Sequence, residues 1–287
     1  MLNHNKILAC VDQSRFSDFV ADYAAWAAQR LEAPLEFLHV IDRHAGGAAS
    51  ADHSGTIGVD AQEQLLETLS EQDAERSRLA REQGRIFLNR LRQRALDSGV
   101  HCADMRQRYG TLRDTVQEQE DTTGLFVLGR RGESAQATQR DLGRNVESVV
   151  RALHKPILAV TDDFQIPRRA MIAFDGGRMT RRGVSLLANS RLFQGMPIHL
   201  LMSGKPRPDA QRQLDWARST LEKAGFDAPT QMIPGDAETV IAESVRRQDI
   251  DILIMGAYSH SPLRSLLVGS KTSDLLRSAR IPALLLR

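Results

Sequence analysis

The chain repeats one pattern twice, and this internal duplication limits its fold more than any other feature of the sequence. The clearest pair is "GRNVESVVRALHKPILAV" (143–160) and "GSKTSDLLRSARIPALLL" (269–286), which align without a gap. In both segments a proline follows the first glycine by thirteen residues. Two further pairs match, namely 6–14 "KILACVDQS" with 169–177 "RAMIAFDGG", and 125–132 "LFVLGRRG" with 252–259 "ILIMGAYS". A repeat of this length predicts two copies of one folding unit.

Each copy contains five short apolar runs that are separated by helical segments. The runs lack alternation of apolar and polar residues, which is typical of strands buried on both faces of a parallel sheet. We expect strands near 6–11, 35–41, 101–108, 125–129 and 156–160, and near 170–174, 198–202, 230–233, 252–256 and 282–286. Strands that alternate with helices predict a doubly wound α/β fold, in which ligands bind beyond the carboxyl ends of the strands.

The duplication predicts two domains, at residues 1–161 and 168–287. The first carries an insertion over about residues 43–98, which consists of a loop rich in Gly, Ala and Ser and a long helix from Ala61 to Ser98. We expect weak order in that loop, either as a solvated excursion or as a cover for the first site. At the same place the second copy has a shorter helix, near 211–224.

Composition and charge exclude several classes of protein. The 38 Lys and Arg and 36 Asp and Glu residues are interleaved, and aromatic residues make up 5% of the 287 residues, so nothing favours nucleic-acid binding. No apolar run approaches the roughly 20 residues of a membrane helix, and the first residues leave no room for a leader peptide. Two cysteines form no disulfide framework. We therefore expect a cytoplasmic protein without a membrane partner.

Glycine-rich turns before helices suggest a site for phosphate. Outward-pointing N–H groups and the positive end of the helix dipole suit an anion at a helix N-terminus. In the second copy Gly256 and Ser259 precede the stretch 269–272, "GSKT", by a short interval, and in the first copy Gly129 and Gly132 stand before Gly143. The chain lacks GxxxxGK[ST], so neither is the common P-loop. Gly269 and Ser270 are equally typical of an ordinary helix cap.

Taken together, these motifs resemble the universal stress protein family in its tandem form. The resemblance rests on the repeated α/β unit, an Asp after the first strand, "HVID" (39–42) after the second, and two spaced glycines followed by Gly-Ser. It covers almost the whole chain outside the Gly/Ala/Ser-rich loop. It implies two Rossmann-like domains of the adenine nucleotide alpha hydrolase type, each with a five-stranded sheet, and fifth strands that pair units into dimers.

The resemblance also implies an adenine nucleotide, ATP, as the ligand of at least one copy, with Mg²⁺ only alongside it. The second-copy positions that match the family's nucleotide-binding residues are Asp175, Met202, Met255, Gly256, Ser259, Gly269, Ser270, Lys271 and Thr272. The first-copy positions are Asp12, Val40, Leu128, Gly129, Gly132, Gly143, Arg144 and Asn145. By this correspondence Asp175 meets the adenosine end, Met202 lies beside the base, and residues 269–272 hold phosphates.

Both copies depart from the family pattern. In the second copy Ser259 stands where the family has a glycine. The first copy has one extra residue before Gly143 and has Arg144 in place of a hydroxyl residue, so we rank the second site above the first. These departures leave a second hypothesis open, a nucleotide-independent interaction protein whose glycine turns are structural and whose surfaces bind protein partners or a second copy. Asp12 and Asp175 are also consistent with bonding to turn amides alone.

No catalytic group can be assembled by spacing. The chain offers no nucleophile with a base and an orienting acid, so the most chemistry we expect is slow hydrolysis of bound ATP. The scattered histidines predict no metal site, and Cys10, in an apolar strand, should be inert. Arg130 and Arg131 are expected to be solvated charges, with phosphate contact as the alternative.

Overall fold

The computed structural model describes residues 6–41, 59–130, 144–205, 207–256 and 281–286. The strands of the first half are β1 (Lys6–Val11), β2 (Leu35–Ile41), β3 (Ala103–Tyr109), β4 (Thr123–Gly129) and β5 (Ile157–Val160). Those of the second half are β6 (Ala170–Ala173), β7 (Ile198–Gly204), β8 (Thr230–Pro234), β9 (Ile252–Gly256) and β10 (Ala283–Leu286). All ten predicted strands are present, with ends within two residues of those expected.

The helices in the described residues are α1 (Ser17–Leu31), α2 (Val59–Asp97), α3 (Leu112–Glu118), α4 (Arg144–Ala152), α5 (Arg178–Ala188), α6 (Ala210–Lys223) and α7 (Ala237–Arg247). The long helix of the insertion is therefore α2, which begins two residues before the predicted start. The predicted loop that leads to it lies almost wholly outside the described residues.

All ten strands form one sheet in the order β3-β2-β1-β4-β5-β10-β9-β6-β7-β8. Each half has the order of a doubly wound fold, and every pairing within a half is parallel. The predicted fold class is confirmed. The strand order of the second half is the reverse of that of the first half, with the β5–β10 pair at the centre of the sheet.

The junction between the halves is an antiparallel pairing of the two fifth strands. Leu284 lies opposite Leu158, and Ala283 lies opposite Ala159. The fifth strands thus pair as the resemblance implies, here between the two halves of one chain. Because the two halves run in opposite directions across this pair, the carboxyl ends of their strands lie at opposite ends of the sheet.

Because β5 pairs with β10, the free edges of the ten-stranded sheet are β3 and β8. Both strands are largely exposed, with Met105 in β3 39% exposed and Met232 in β8 44% exposed. The expectation that all strands are buried on both faces is therefore wrong for these two, because each has a neighbour on one side only.

Two hydrophobic cores cover the two faces of the sheet, and each extends across the junction. One packs α1, part of α2, α5 and α6 against the sheet, and the other packs α3, α4 and α7. On the first face Arg30 of α1 donates to the carbonyl oxygens of Leu192, at 3.1 Å, and Gln194 in the second half. The halves are thus held together by strand pairing, shared cores and hydrogen bonds.

The junction predicts a strong stability effect at Leu284, which is fully buried opposite Leu158. Leu284→Ala should lower the free energy of unfolding by about 2–5 kcal/mol, because it removes buried methyl groups and leaves a cavity. Leu79→Ala, at a side chain that is 50% exposed, is the matched control and should change it by less than about 0.5 kcal/mol. Chemical denaturation measures both, and equal losses would contradict this account of the junction.

Candidate functional site

Each half has one point at which the order of the strands in the sheet reverses. Open α/β sheets typically bind their ligands at such a point. In the first half this point lies between β1 and β4, and in the second between β6 and β9. At the carboxyl ends of these strands the chain places Asp12 and Gly129 in one half, and Asp175 and Gly256 in the other. Ligands of open α/β sheets bind in the crevice at this position. Four of the predicted site residues are therefore where a ligand is expected.

In the second half the Asp175 carboxylate organises the turn that follows β6. Its Oδ1 accepts a hydrogen bond from the Gly177 N–H at 2.8 Å and another from the Thr180 hydroxyl at 2.6 Å. Thr180 is buried on the first turn of α5. The carboxylate thus fixes the start of α5, which is the local role that the sequence also allowed.

The first half has a related arrangement. Asp12 Oδ1 accepts hydrogen bonds from the Ser14 N–H at 3.1 Å and from the Ser14 hydroxyl, while the Ser17 hydroxyl donates to the Asp12 carbonyl oxygen. The Asp12 N–H in turn lies 3.2 Å from the Ser17 hydroxyl oxygen. Thr180 and Ser17 each stand five residues after the aspartate, a spacing that is visible in both copies of the sequence and that the motif analysis overlooked.

Gly256 leaves the carboxyl end of β9 without a side chain. A Cβ atom at this residue would lie 3.5 Å from Thr180 Cγ2 and 3.6 Å from Met179 Cβ, which is ordinary van der Waals contact. Nothing among the described residues therefore requires glycine here. An absent side chain at a strand end beside a helix N-terminus instead gives a ligand close access to the main chain.

Hydrogen-bond register corrects one equivalence between the copies. Leu38 pairs with Cys10, and Leu201 pairs with Ala173, so that Met202 corresponds to His39 and not to Val40. Met202 lies in the core under α5 and α6, whereas Val40 packs against the core on the opposite face. These two predicted residues cannot therefore play the same role toward a ligand.

The remaining predicted residues divide into those described and those outside the described residues. Leu128 and Met255 are equivalent, and both are buried next to the strand ends. Arg144 and Asn145 begin α4. Seven predicted site residues lie outside the described residues, namely Gly132, Gly143, Ser259, Gly269, Ser270, Lys271 and Thr272. Arg131 lies outside them as well.

Arg130 contradicts the expectation of a solvated charge. It directly follows Gly129, yet it is only 7% exposed, and burial lowers the pKa of its guanidinium from the ordinary value to about 10. One Nη donates to the Ile281 carbonyl oxygen at 2.6 Å, in the second half. Arg130 therefore ties the end of β4 to Ile281, two residues before β10, and local sequence carries no signal for so distant a partner.

Other chemistry is limited in the described part of the chain. Burial raises the pKa of the Cys10 thiol to about 12, so the expectation that it is inert agrees with its surroundings. Among the described residues no three His, Cys, Asp or Glu side chains gather as metal ligands. Over the same residues no helix has the length and apolar character that crossing a membrane requires.

Comparison with known proteins identifies the family. The model of the universal stress protein family matches residues 3–161 and 183–287. The chain belongs to the universal stress protein family. It is 33% identical to a universal stress protein of Synechocystis sp. over 284 residues, which is 98% of this chain and 99% of the relative.

Solved structures of universal stress proteins share the whole fold. One from Archaeoglobus fulgidus has a TM-score of 0.69 at 14% identity and covers 100% of this chain and 97% of its own. A putative member from Pseudomonas aeruginosa has a TM-score of 0.64 at 15% identity, with 99% and 94% covered. The tandem arrangement of this universal stress protein, with its Rossmann-like halves, is therefore found in other proteins.

A loop between β7 and α6 contributes residues that sequence analysis missed. Arg207 donates from an Nη to the Asp175 carbonyl oxygen at 2.6 Å, and Asp209 accepts a hydrogen bond from the side-chain amide of Gln213. The loop thus contacts the Asp175 turn from the side of α6. No motif flags these residues, because their contacts depend on how α6 packs.

The carboxylate of Asp175 should contribute to stability even without a ligand. Asp175→Ala removes an acceptor for the Gly177 N–H and the Thr180 hydroxyl, and we expect it to lower the free energy of unfolding by about 1 kcal/mol. Asp215→Ala is the control, since in the described part of the chain that exposed carboxylate accepts a hydrogen bond only from the Gln211 side chain, and the change should have little effect. Denaturant melts of the nucleotide-free variants make the comparison, and an unaffected Asp175→Ala protein would refute the capping role.

Proposed function

We propose that this universal stress protein binds an adenine nucleotide, ATP in the first instance, at the carboxyl edge of its second half. The observation that carries the proposal is the position of Asp175 and Gly256, which flank the reversal of strand order between β6 and β9. Family membership supports it, because the resemblance implies nucleotide binding at these positions. In this proposal the bound nucleotide changes the contacts that the protein makes with partners during a stress response.

The described residues fit such a ligand. Gly256 carries no side chain at the carboxyl end of β9, and α5 begins at Arg178 without a side-chain cap on its N-cap residue. A helix N-terminus that faces the crevice suits the negative charge of phosphate. Mg²⁺ enters the proposal only as an ion bound together with the phosphates.

The first half is proposed as the weaker site. It offers the same reversal point, with Asp12 and Gly129, but Arg130 is buried and committed to the Ile281 carbonyl oxygen. That side chain therefore does not supply a phosphate cation. In the sequence of the second half, the residue that follows Gly256 is an alanine, Ala257, and not an arginine.

Location and assembly complete the proposal. Two free cysteines, of which Cys102 is exposed, fit the reducing conditions of the cytoplasm. Both β5 and β10 have a neighbour on each side, so association of two chains would use a surface other than the fifth strands. We therefore propose that two chains form a homodimer only through surfaces other than β5 and β10.

ATP should raise the thermal stability of the wild-type protein, since a ligand that binds only the folded state at 100 times its Kd stabilises by about 2.7 kcal/mol. Gly256→Ala should fold normally, because the added methyl meets ordinary contacts, but it should lose most of the shift in melting temperature. Gly129→Ala, the equivalent change in the first half, should lose less.

The measurement is a thermal melt with and without ATP at millimolar concentration. A wild-type protein that shows no shift would overturn the proposal and favour a nucleotide-independent interaction protein, whose glycine turns are structural. A larger loss in Gly129→Ala than in Gly256→Ala would move the principal site to the first half.

A further inference from the structure

Five arginines lie on the exposed surface where α5 and α6 begin, and we call this group the basic patch. The Arg181 Cζ lies 4.2 Å from the centre of the Trp216 ring, so the two helices bring their side chains together. Arg212 stands one helical turn before Trp216. Arg207 reaches the turn before α5, since it donates to the Asp175 carbonyl oxygen. The basic patch consists of Arg178, Arg181, Arg182, Arg207 and Arg212, and all five are exposed.

The charge of the basic patch is not balanced by nearby acids. In the described part of the chain no ion pair joins any of the five arginines to a carboxylate, and the first turns of α5 and α6 carry no acidic residue. Arg178 lies one turn from both Arg181 and Arg182, and like charges at this spacing repel. Cations at a helix N-terminus also oppose the helix dipole. The arrangement therefore favours an anionic partner.

The equivalent place in the first half carries the opposite charge. Asp18 of α1 stands six residues after Asp12, as Arg181 stands six residues after Asp175. An Nη of Arg90, on α2, lies 2.7 Å from Asp18 Oδ1. The charge of α1 is thus neutralised by α2, whereas no ion pair joins α5 to α6 among the described residues.

The N-terminal part of α2 has the charge that complements the basic patch. Residues 60–75 contain no Lys or Arg, and we call this segment the acidic arm. Its acidic residues are Asp60, Glu63, Glu67, Glu71, Asp73 and Glu75. The arm and the patch are thus two surfaces of opposite charge on one chain.

The acidic arm extends past the end of the sheet. Ser77, two residues after the arm, lies beside the end of β3, where the Tyr109 hydroxyl donates to its carbonyl oxygen at 3.4 Å. From Ser77 the helix continues for 18 residues to Val59, which is about 27 Å. Every side chain described between Ser70 and Arg76 is exposed. These side chains therefore have no packing surface in the described part of the chain.

The acidic arm of one chain cannot reach the basic patch of the same chain. Helices α2, α5 and α6 pack on the same face of the sheet. The arm, however, lies at the carboxyl end of the first half and the patch at that of the second, which are opposite ends of the sheet. A second copy related by a twofold axis brings each arm to the patch of the other chain, and such reciprocal contacts close at two copies.

We infer that the basic patch docks the acidic arm of a second copy of this chain. The inference rests on the homodimer of the proposed function, to which it assigns a surface, and it does not depend on nucleotide binding. Complementary charge gives such a contact its specificity, and it makes the contact sensitive to salt.

The test measures association of the nucleotide-free protein by analytical ultracentrifugation. Salt is set at about 0.05 M and at about 1 M, where the screening length falls to about 3 Å. One variant reverses the charge of the patch, with Arg182→Glu and Arg212→Glu. A second variant reverses the charge of the arm, with Glu71→Arg and Glu75→Arg, at two exposed side chains.

The wild type should form a dimer at low salt and dissociate at high salt. Each double variant should raise the dissociation constant by about tenfold or more, because attractions between exposed charges become repulsions. An equimolar mixture of the two variants should restore the dimer, since the reversed patch of one chain then meets the reversed arm of the other. A folding defect in either variant would not be corrected by mixing.

The matched control reverses two exposed arginines on the other face of the sheet. Arg246→Glu with Arg247→Glu makes the same change of charge on α7, and association should stay as in the wild type. A wild type that stays monomeric at low salt overturns the inference, as do an equal loss in the control and a mixture that fails to associate. Thermal melts check folding, and Arg182→Gln with Arg212→Gln replaces the glutamate variant in the association measurement if that protein unfolds.

The nucleotide proposal is tested separately on the same proteins, through the shift in melting temperature that ATP produces. A shift in a protein that does not associate overturns this inference alone. Association without a shift overturns the nucleotide proposal alone.

Discussion

The antiparallel pairing of β5 with β10 is the constraint on which the rest of the structure depends. Each half alone would leave an apolar strand at its edge, and an unpaired apolar edge invites association with other chains. Pairing covers both edges at once and joins the two cores. It also sets the free edges at β3 and β8, whose exposed residues are more polar.

The same pairing determines how the two candidate sites are related. Because the halves run in opposite directions, their carboxyl edges lie at opposite ends of the sheet, and one ligand cannot span both sites. The first site nevertheless contacts the second half, since Arg130 follows Gly129 and bonds the carbonyl oxygen of Ile281. Burial of that charge makes the contact costly to break without a replacement partner.

Local sequence predicted the strands well because each is a short apolar run bounded by turn residues. The duplication then indicated that both halves share one topology, and the carboxyl-end positions of Asp12, Asp175 and the two glycines followed from it. What depends on register or distant packing was not predictable. The pairing of Leu38 with Cys10 shows Val40 to be one residue away from the position equivalent to Met202, and the Ile281 carbonyl oxygen that Arg130 bonds lies 151 residues away in sequence.

Binding of an adenine nucleotide at the reversal point of the second half can be tested on the small-molecule content of the protein itself. The chain would be purified gently, the bound molecules released with acid, and the extract analysed by chromatography and mass spectrometry. We expect an adenine nucleotide at one per chain, or two if both halves are competent. An extract without nucleotide, from protein that also fails to bind added ATP, would contradict it.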